Sequence, residues 1–158
     1  LLTRYGWEIR YSLAGRGAEI PTANENRRID LEDALGEVVD YMLFVNEVEL
    51  QNPVAGSSGF REQFEARGPK DTRDRSLRQF DLKRRLMRYP LSYMIYTEAF
   101  DGLPVEARNA IYLRLWQILS GMDDAPRYDR IMPEDRLAII EILQATKPGI
   151  PGYFRGNG

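Results

Sequence analysis

The chain has 158 residues, of which 22 are basic and 24 acidic, and it contains neither histidine nor cysteine. Without imidazole or thiol it has no side chain that titrates near neutrality unperturbed, no thiolate nucleophile, and no Cys or His site for zinc, copper, iron–sulfur or haem. The formal charge of −2 supplies no whole-molecule field toward nucleic acid, and 43% hydrophobic residues fit one soluble globular domain able to bury a core without disulfide staples.

The first residue is Leu1 rather than Met, and no signal-peptide pattern follows, so the chain is expected to be part of a longer one. Tyr5, Ile9 and Leu13 recur at i, i+4, i+8 and predict a helix over about 3–13, stopped by Gly15 and Gly17. Residues 16–28 are polar, contain Pro21, Asn24 and Asn26, and read as a loop. Asp30 then stands as an N-cap, with Asp33 in the capping-box position. Leu31, Leu35, Val38, Met42 and Val45, with Ala34 and Tyr41 beside them, predict an amphipathic core helix over 30–46. The longest uninterrupted apolar run, Tyr41 to Val45, is far short of the ~20 residues a membrane span needs.

Residues 51–59 (QNPVAGSSG) read as a loop. Gly56-Ser57-Ser58-Gly59 lacks the spacing of a hydrolase elbow and the lysine of a phosphate loop. Ser57 or Ser58 is expected to cap a short helix carrying Phe60 and Phe64, ended by Gly68 and Pro69. After a polar loop at 69–75, a basic helix is expected from Ser76 to Tyr89, with Leu77, Phe80 and Arg84 on one line and Leu82 and Leu86 on another, stopped by Pro90. Leu91 to Thr97 (LSYMIYT) fits either a strand or a helix. With helices on both sides it is assigned as a short buried helix.

Two helices with clear starts close the chain. Pro104 and Glu106 open one over 104–120, whose inner face is Ala107, Ile111, Leu115, Ile118 and Leu119, with Gly121 as the stop. Pro133, Glu134 and Asp135 open another over 133–146, with Leu137, Ile140 and Leu143 expected inward. The pairs Glu106/Glu134, Arg108/Arg136, Ala110/Ala138, Ile111/Ile139 and Leu115/Leu143 recur at a constant offset, a recurrence assigned to shared helix-start chemistry. The tail from Gly149 to Gly158 is glycine-rich and expected to be flexible, with Tyr153 and Phe154 as anchors to the body or to a neighbour.

Three groups of residues invite a functional reading. Arg73, Arg75, Arg78, Lys83, Arg84, Arg85 and Arg88, against only Asp74 and Asp81, form a local basic block. It suits an acidic protein, a phosphate-bearing ligand or anionic headgroups; the alternative is a solvated face paired with acids elsewhere in the fold. No RNA-binding motif or helix-turn-helix signature accompanies it, so an acidic protein surface is preferred to nucleic acid. Tyr89, Tyr93, Tyr96, Phe100, Tyr112 and Trp116 form an aromatic set that is core unless it lines a pocket. The acids Asp123, Asp124, Asp129, Glu134 and Asp135, and separately Asp71 and Asp74, lack the pattern of a calcium loop and serve as caps and first-turn charges.

The runs GPKDTRDRSLRQFDLKRRL, RYPLSYMIYTEAFDGLP and RLAIIEILQATKPGIPGYF, between Gly68 and Phe154, resemble the C-terminal part of a group of uncharacterised bacterial proteins whose longer forms look exported. The resemblance implies a bacterial source, a longer precursor and an extracytoplasmic location, periplasmic for preference. It implies no activity and no catalytic residue.

Together these readings give an all-α protein: one irregular bundle of about five or six helices over 1–148, then a tail over 149–158. The expected function is a non-catalytic structural or binding module, an accessory subunit or C-terminal domain docking on a larger assembly with an acidic surface. The partner-binding residues would be Arg73, Arg75, Arg78, Lys83, Arg84, Arg85, Arg88, Tyr153 and Phe154. No catalytic residue, metal, cofactor or nucleic acid is implied, and contact with an anionic membrane surface stays open. The alternative is an enzyme using carboxylates and tyrosine on a polar polymer such as a glycan, which requires a cleft where two acids meet.

Overall fold

The core is built where the first long helix packs on the first of the two closing helices, and that helix on the second. A computed structural model describes residues 21–56 and 58–156, together with Arg4, Gly6 and Trp7. Arg4, Gly6 and Trp7 are helical; the remainder of the helix expected over 3–13, residues 16–20 and the last two residues of the tail lie outside the described residues. Among the described residues the elements in chain order are α1 (Pro21–Met42), α2 (Phe60–Ala66), α3 (Glu98–Asp101), α4 (Val105–Leu119) and α5 (Pro133–Thr146). Three 3-10 turns, Tyr93–Tyr96, Pro126–Tyr128 and Gly152–Arg155, complete a single all-α domain.

α1 starts earlier than its caps suggest. Pro21 opens the helix instead of interrupting a loop, because a first-position proline gives up an N–H that has no helical partner anyway. Asp30 therefore lies inside the helix rather than capping it. Ala34, Val38, Val39 and Met42 are buried and Leu35 half-buried, as the periodicity requires, while Tyr41 is exposed and the side chain of Leu31 lies outside the described residues. The helix ends at Met42, short of Val45, because Phe44 adopts a positive φ of 53° and turns the chain into an extended segment over 47–56.

α4 follows its sequence pattern closely. Ala107, Ile111, Leu115, Ile118 and Leu119 are all buried, and each fully buried Ile or Leu contributes roughly 1.5–3 kcal/mol. α5 is rotated from its expected orientation: Ala138, Ile139, Ile142 and Leu143 face inward with Asp135, whereas Leu137 is 58% exposed and Ile140 only half-buried. The helix carries apolar residues around most of its circumference, so periodicity alone does not choose a face. The buried Asp135 does, by pairing with an arginine described below.

The recurrence at constant offset continues into the preceding turns. Phe100 and Tyr128 are both fully buried, and Leu103 and Ile131 follow them into the core. Arg108 reaches back to donate to the carbonyl of Asp101 at 2.5 Å, and Arg136 reaches back to the carbonyls of Ile131, Tyr128 and Ile118 at 2.9, 3.0 and 2.8 Å. Each helix thus enters behind a buried aromatic and is fastened by an arginine to the turn before it. Shared packing, beyond capping chemistry, accounts for the matched residues.

α1 packs on α4, α4 on α5, and α5 on the last 3-10 turn. That last contact anchors the tail to the body: Ile150 and Phe154 are buried, and Phe154 meets Trp116 at 5.2 Å and Tyr112 at 6.2 Å between ring centroids. Burying a Phe and an Ile offsets the ordering of a short glycine-containing segment.

Candidate functional site

The basic segment is not a helix. Asp71 and Asp81 each capture the backbone that follows: Asp71 Oδ1 accepts from the N–H groups of Arg73 and Arg75 at 2.9 and 2.8 Å, and Asp81 Oδ1 from those of Lys83 and Arg84 at 2.9 and 3.1 Å. Such side-chain acceptors compete with the helical ladder and favour turns. Asp74 and Leu82 adopt positive φ of 61° and 59°, which a right-handed helix cannot contain. The outcome is an irregular hairpin over 79–88. Arg88 N–H donates to Gln79 O at 2.7 Å, Asp81 N–H to Leu86 O at 3.0 Å, and Leu82 N–H to Arg85 O at 2.9 Å around one Phe80–Met87 bridge.

The return arm alternates like a strand. Arg85, Met87 and Tyr89 turn inward, while Arg84, Leu86 and Arg88 are exposed, so Leu86 is not the core residue a helix would have made it. The extended segment after α1 lies along this arm: Leu50 N–H donates to Arg84 O at 3.1 Å, Val54 N–H to Leu82 O at 2.9 Å, and Glu47 Oε1 accepts from Leu86 N–H at 2.8 Å. Val48, Val54 and Leu86 are exposed on this surface beside the hairpin tip.

Six of the seven expected binding cations divide into an inner and an outer set. Arg85 and Arg75 are inner. Arg85 Nη2 meets Asp135 Oδ2 at 2.6 Å, with both side chains nearly buried, and also donates to Arg88 O at 2.7 Å; its Nε is buried without an acceptor. Arg75 bridges Asp71 at 2.7 Å and Glu141 of α5 at 2.6 Å. Burial opposes the charge on Asp71, but hydrogen bonds from the Arg75 backbone and side chain and from the Arg73 backbone outweigh it, holding that carboxyl below its ordinary range. Asp81 is held low in the same way, burial being outweighed by the Arg84 and Lys83 backbone N–H groups. On Arg75, burial is outweighed by Glu141 and Asp71, which push the guanidinium pKa up.

Arg73, Lys83, Arg84 and Arg88 are outer. Arg73 is exposed and shares Glu141 at 3.0 Å; Arg84 is 73% exposed and lies 3.7 Å from Asp81; Arg88 stands 3.9 Å from Asp135; Lys83 is exposed, with no ion pair among the described residues. Surface pairs at such distances contribute little and leave the charge available. Arg78 belongs to neither set. It is half-buried, with its guanidinium 4.1 Å from the Tyr93 ring centroid and 4.8 Å from that of Phe64. The chain approaches it closely at Gly68, where an added Cβ would press on Ser76 Oγ and the Arg78 stem.

The tail residues join a different group. Tyr153 is half-buried, tilted 49° to Trp116 at 6.0 Å, and the Phe154 carbonyl accepts from Gln144 Nε2. Among the described residues no hydrogen bond, ion pair or ring contact links Tyr153 or Phe154 to the seven cations. Phe154 in particular is core, not a surface anchor. The expected aromatic set splits as well. Phe100 and Tyr112 pack edge-on at 5.4 Å in the core, and burial pushes the Tyr112 phenol up to about 12. Tyr96, also pushed up to about 12 by burial, shares a 2.6 Å hydrogen bond with Thr146. Tyr93 instead joins Phe64 and Phe80 on the hairpin side.

Two concavities lie elsewhere. A groove of about 490 Å³ is lined by Glu32, Asp33, Glu37 and Asp40 of α1 with Arg114 and Arg127 opposite. In it, Asp40 accepts from the buried Tyr128 hydroxyl at 2.8 Å and lies 3.4 Å from Arg127. Among the described residues no three acids converge closely enough to hold a metal ion. A second, more apolar groove of about 520 Å³ runs between the end of α4 and the start of α5, past Ile131, Leu137 and Ile140. No described helix is long and apolar enough to cross a membrane. Comparison with protein-family models, with curated proteins and with solved structures finds no match.

Proposed function

We propose that this chain is a non-catalytic binding module, an accessory subunit or C-terminal domain that docks on a larger protein assembly through the outer cations of the hairpin. The supporting observation is the division of the basic block. Arg85 fastens the hairpin to α5 through Asp135, Arg75 fastens the segment before it through Glu141, and Lys83, Arg84 and Arg88 project from the surface so fastened. A fixed array of cations beside exposed Val48, Val54 and Leu86 suits an acidic protein surface with apolar patches, because little ordering remains to be done on binding. The resemblance to exported bacterial proteins supports an extracytoplasmic setting for the encounter.

The test is co-purification of the full chain with and without the triple change Lys83→Glu, Arg84→Glu and Arg88→Glu, with thermal stability followed in parallel. Loss of an associated assembly at unchanged stability is the expected result. Retention of that assembly with the same salt dependence refutes the proposal.

The acidic groove favours a second reading, an enzyme acting through carboxylates on a polar polymer. Asp33, Glu37 and Asp40 share one wall, and two arginines face them. That reading requires turnover that disappears in both Asp33→Asn and Glu37→Gln; binding without turnover leaves only the docking function.

A further inference from the structure

A second surface without a partner lies on the far side of α5 from the hairpin. The groove of about 520 Å³ between the end of α4 and the start of α5 is walled by Leu119, Ile131, Pro133, Leu137 and Ile140. Leu137 is 58% exposed there, and Met122 and Met132, which flank groove residues in the chain, are exposed as well. Exposed apolar side chains grouped around a groove mark an interaction site.

The charge around the groove narrows what it fits. Between Gly121 and Asp135 the chain carries Asp123, Asp124, Asp129, Glu134 and Asp135 against Arg127 and Arg130. Asp123 and Asp135 are paired with Arg114 and Arg85. The two arginines turn elsewhere, Arg127 toward Asp40 of α1 and Arg130 onto the carbonyls of Val45 and Glu47. Arg136 lines the groove, but its N–H groups are bonded to the carbonyls of Ile131, Tyr128 and Ile118. Asp124, Asp129 and Glu134 are exposed and have no cation partner among the described residues. Asp129 stands on the groove wall, and Glu134 precedes Leu137 by three positions, which makes them neighbours on the helix surface. The groove is therefore apolar with acids left over beside it.

The hairpin is built the opposite way, with Lys83, Arg84 and Arg88 projecting beside exposed Val48, Val54 and Leu86. One molecule thus presents two apolar surfaces of opposite charge. They cannot meet within one copy. Arg85 ties the hairpin to Asp135, and Pro133, Leu137 and Ile140 lie roughly 140–160° round α5 from Asp135 at 3.6 residues per turn.

We propose that the groove between α4 and α5 receives the cationic hairpin of a second copy of this chain. The contact sets the hairpin cations against Asp124, Asp129 and Glu134, and the exposed aliphatic side chains of the hairpin surface against Leu137 and Ile140. Because the two surfaces differ, the contact is head-to-tail. Each added copy leaves one hairpin and one groove free, so assembly continues to a ring or a filament instead of stopping at a two-fold dimer. This inference deepens the docking reading and rests on it for the role of the hairpin; it names the acidic surface that the hairpin meets.

The full chain is followed by sedimentation velocity from micromolar to millimolar concentration, at low and at moderate salt. The expected result is a mass that grows past the dimer with concentration and falls with salt. Lys83→Glu with Arg84→Glu, and separately Leu137→Glu at an exposed position, should each weaken association by about tenfold or more at an unchanged melting temperature. An equimolar mixture of the two variants tests the geometry. Each keeps the surface that the other has lost, so the mixture should form a one-to-one complex and grow no further. A wild-type chain that stays monomeric at millimolar concentration, association untouched by Leu137→Glu, or a mixture no heavier than its components each overturns the proposal. An assembly of other proteins held by the hairpin, while the isolated chain stays monomeric, refutes self-association and leaves the docking reading intact.

Discussion

The α4–α5 pair and the arginine hairpin hold their places by different forces. The helices are fixed by apolar side chains at helical spacing, with arginines 108 and 136 tying each to the turn before it. The hairpin has a single bridge and little ladder, and its shape depends on two aspartates that gather backbone N–H groups and on ion pairs reaching α5. The contrast teaches that charge in this chain has two separable uses. Where it is buried it builds structure, and where it is exposed it faces solvent, the set that the proposed docking would use.

The largest effect should come from the helices. Ile139→Ala empties a fully buried site and should lower unfolding free energy by about 4 kcal/mol in urea titration, without changing the exposed charges. Slightly smaller, and more telling, is Asp135→Ala. Removing one member of a buried pair leaves Arg85 uncompensated and should cost about 3 kcal/mol, whereas the double change Arg85→Met with Asp135→Leu should recover most of it. If the single and double changes destabilise equally, the inner pair does not position the hairpin.

Acid should loosen the hairpin before it unfolds the helices. Asp71 and Asp81 have folded pKa values below their unfolded ones, so their stabilisation is complete above about pH 4 and is lost as pH falls through the folded values. Amide hydrogen exchange over 71–88 should therefore rise below about pH 4, ahead of exchange in α4. Asp71→Asn should blunt that rise. The smallest effect concerns Tyr96. Its Phe variant loses the Thr146 hydrogen bond and should cost about 1 kcal/mol. Because Tyr96 and Tyr112 hold their protons to about 12, above the ordinary value near 10, stability should also decline between about pH 10 and 12, followed by denaturation with phenolate absorbance.

The two regions were unequally legible in the sequence. α4 was readable in its extent to within a residue at each end and in its buried face apart from Tyr112, because a one-sided apolar stripe between Pro104 and Gly121 admits one orientation. α5 was readable in extent but not in rotation, since Leu137 and Ile142 compete for the core and only the partner of Asp135, fifty positions away in Arg85, decides between them. The hairpin was misread as a helix because Leu77, Phe80 and Arg84 happen to share a helical line. The better signal was local: Asp71 and Asp81 each stand two to four residues before the N–H groups they capture, and Met87 and Tyr89 alternate with Leu86 and Arg88.

The most direct measurement compares two variants in one pair of assays, thermal stability and affinity for polyglutamate at low and moderate salt. The account predicts a crossed pattern. Arg85→Gln lowers the melting temperature with little change in affinity per folded molecule, while Lys83→Glu with Arg84→Glu abolishes salt-dependent binding and leaves the melting temperature where it was. Equal effects of both variants on both quantities would contradict the division of inner from outer charge on which the proposed docking depends.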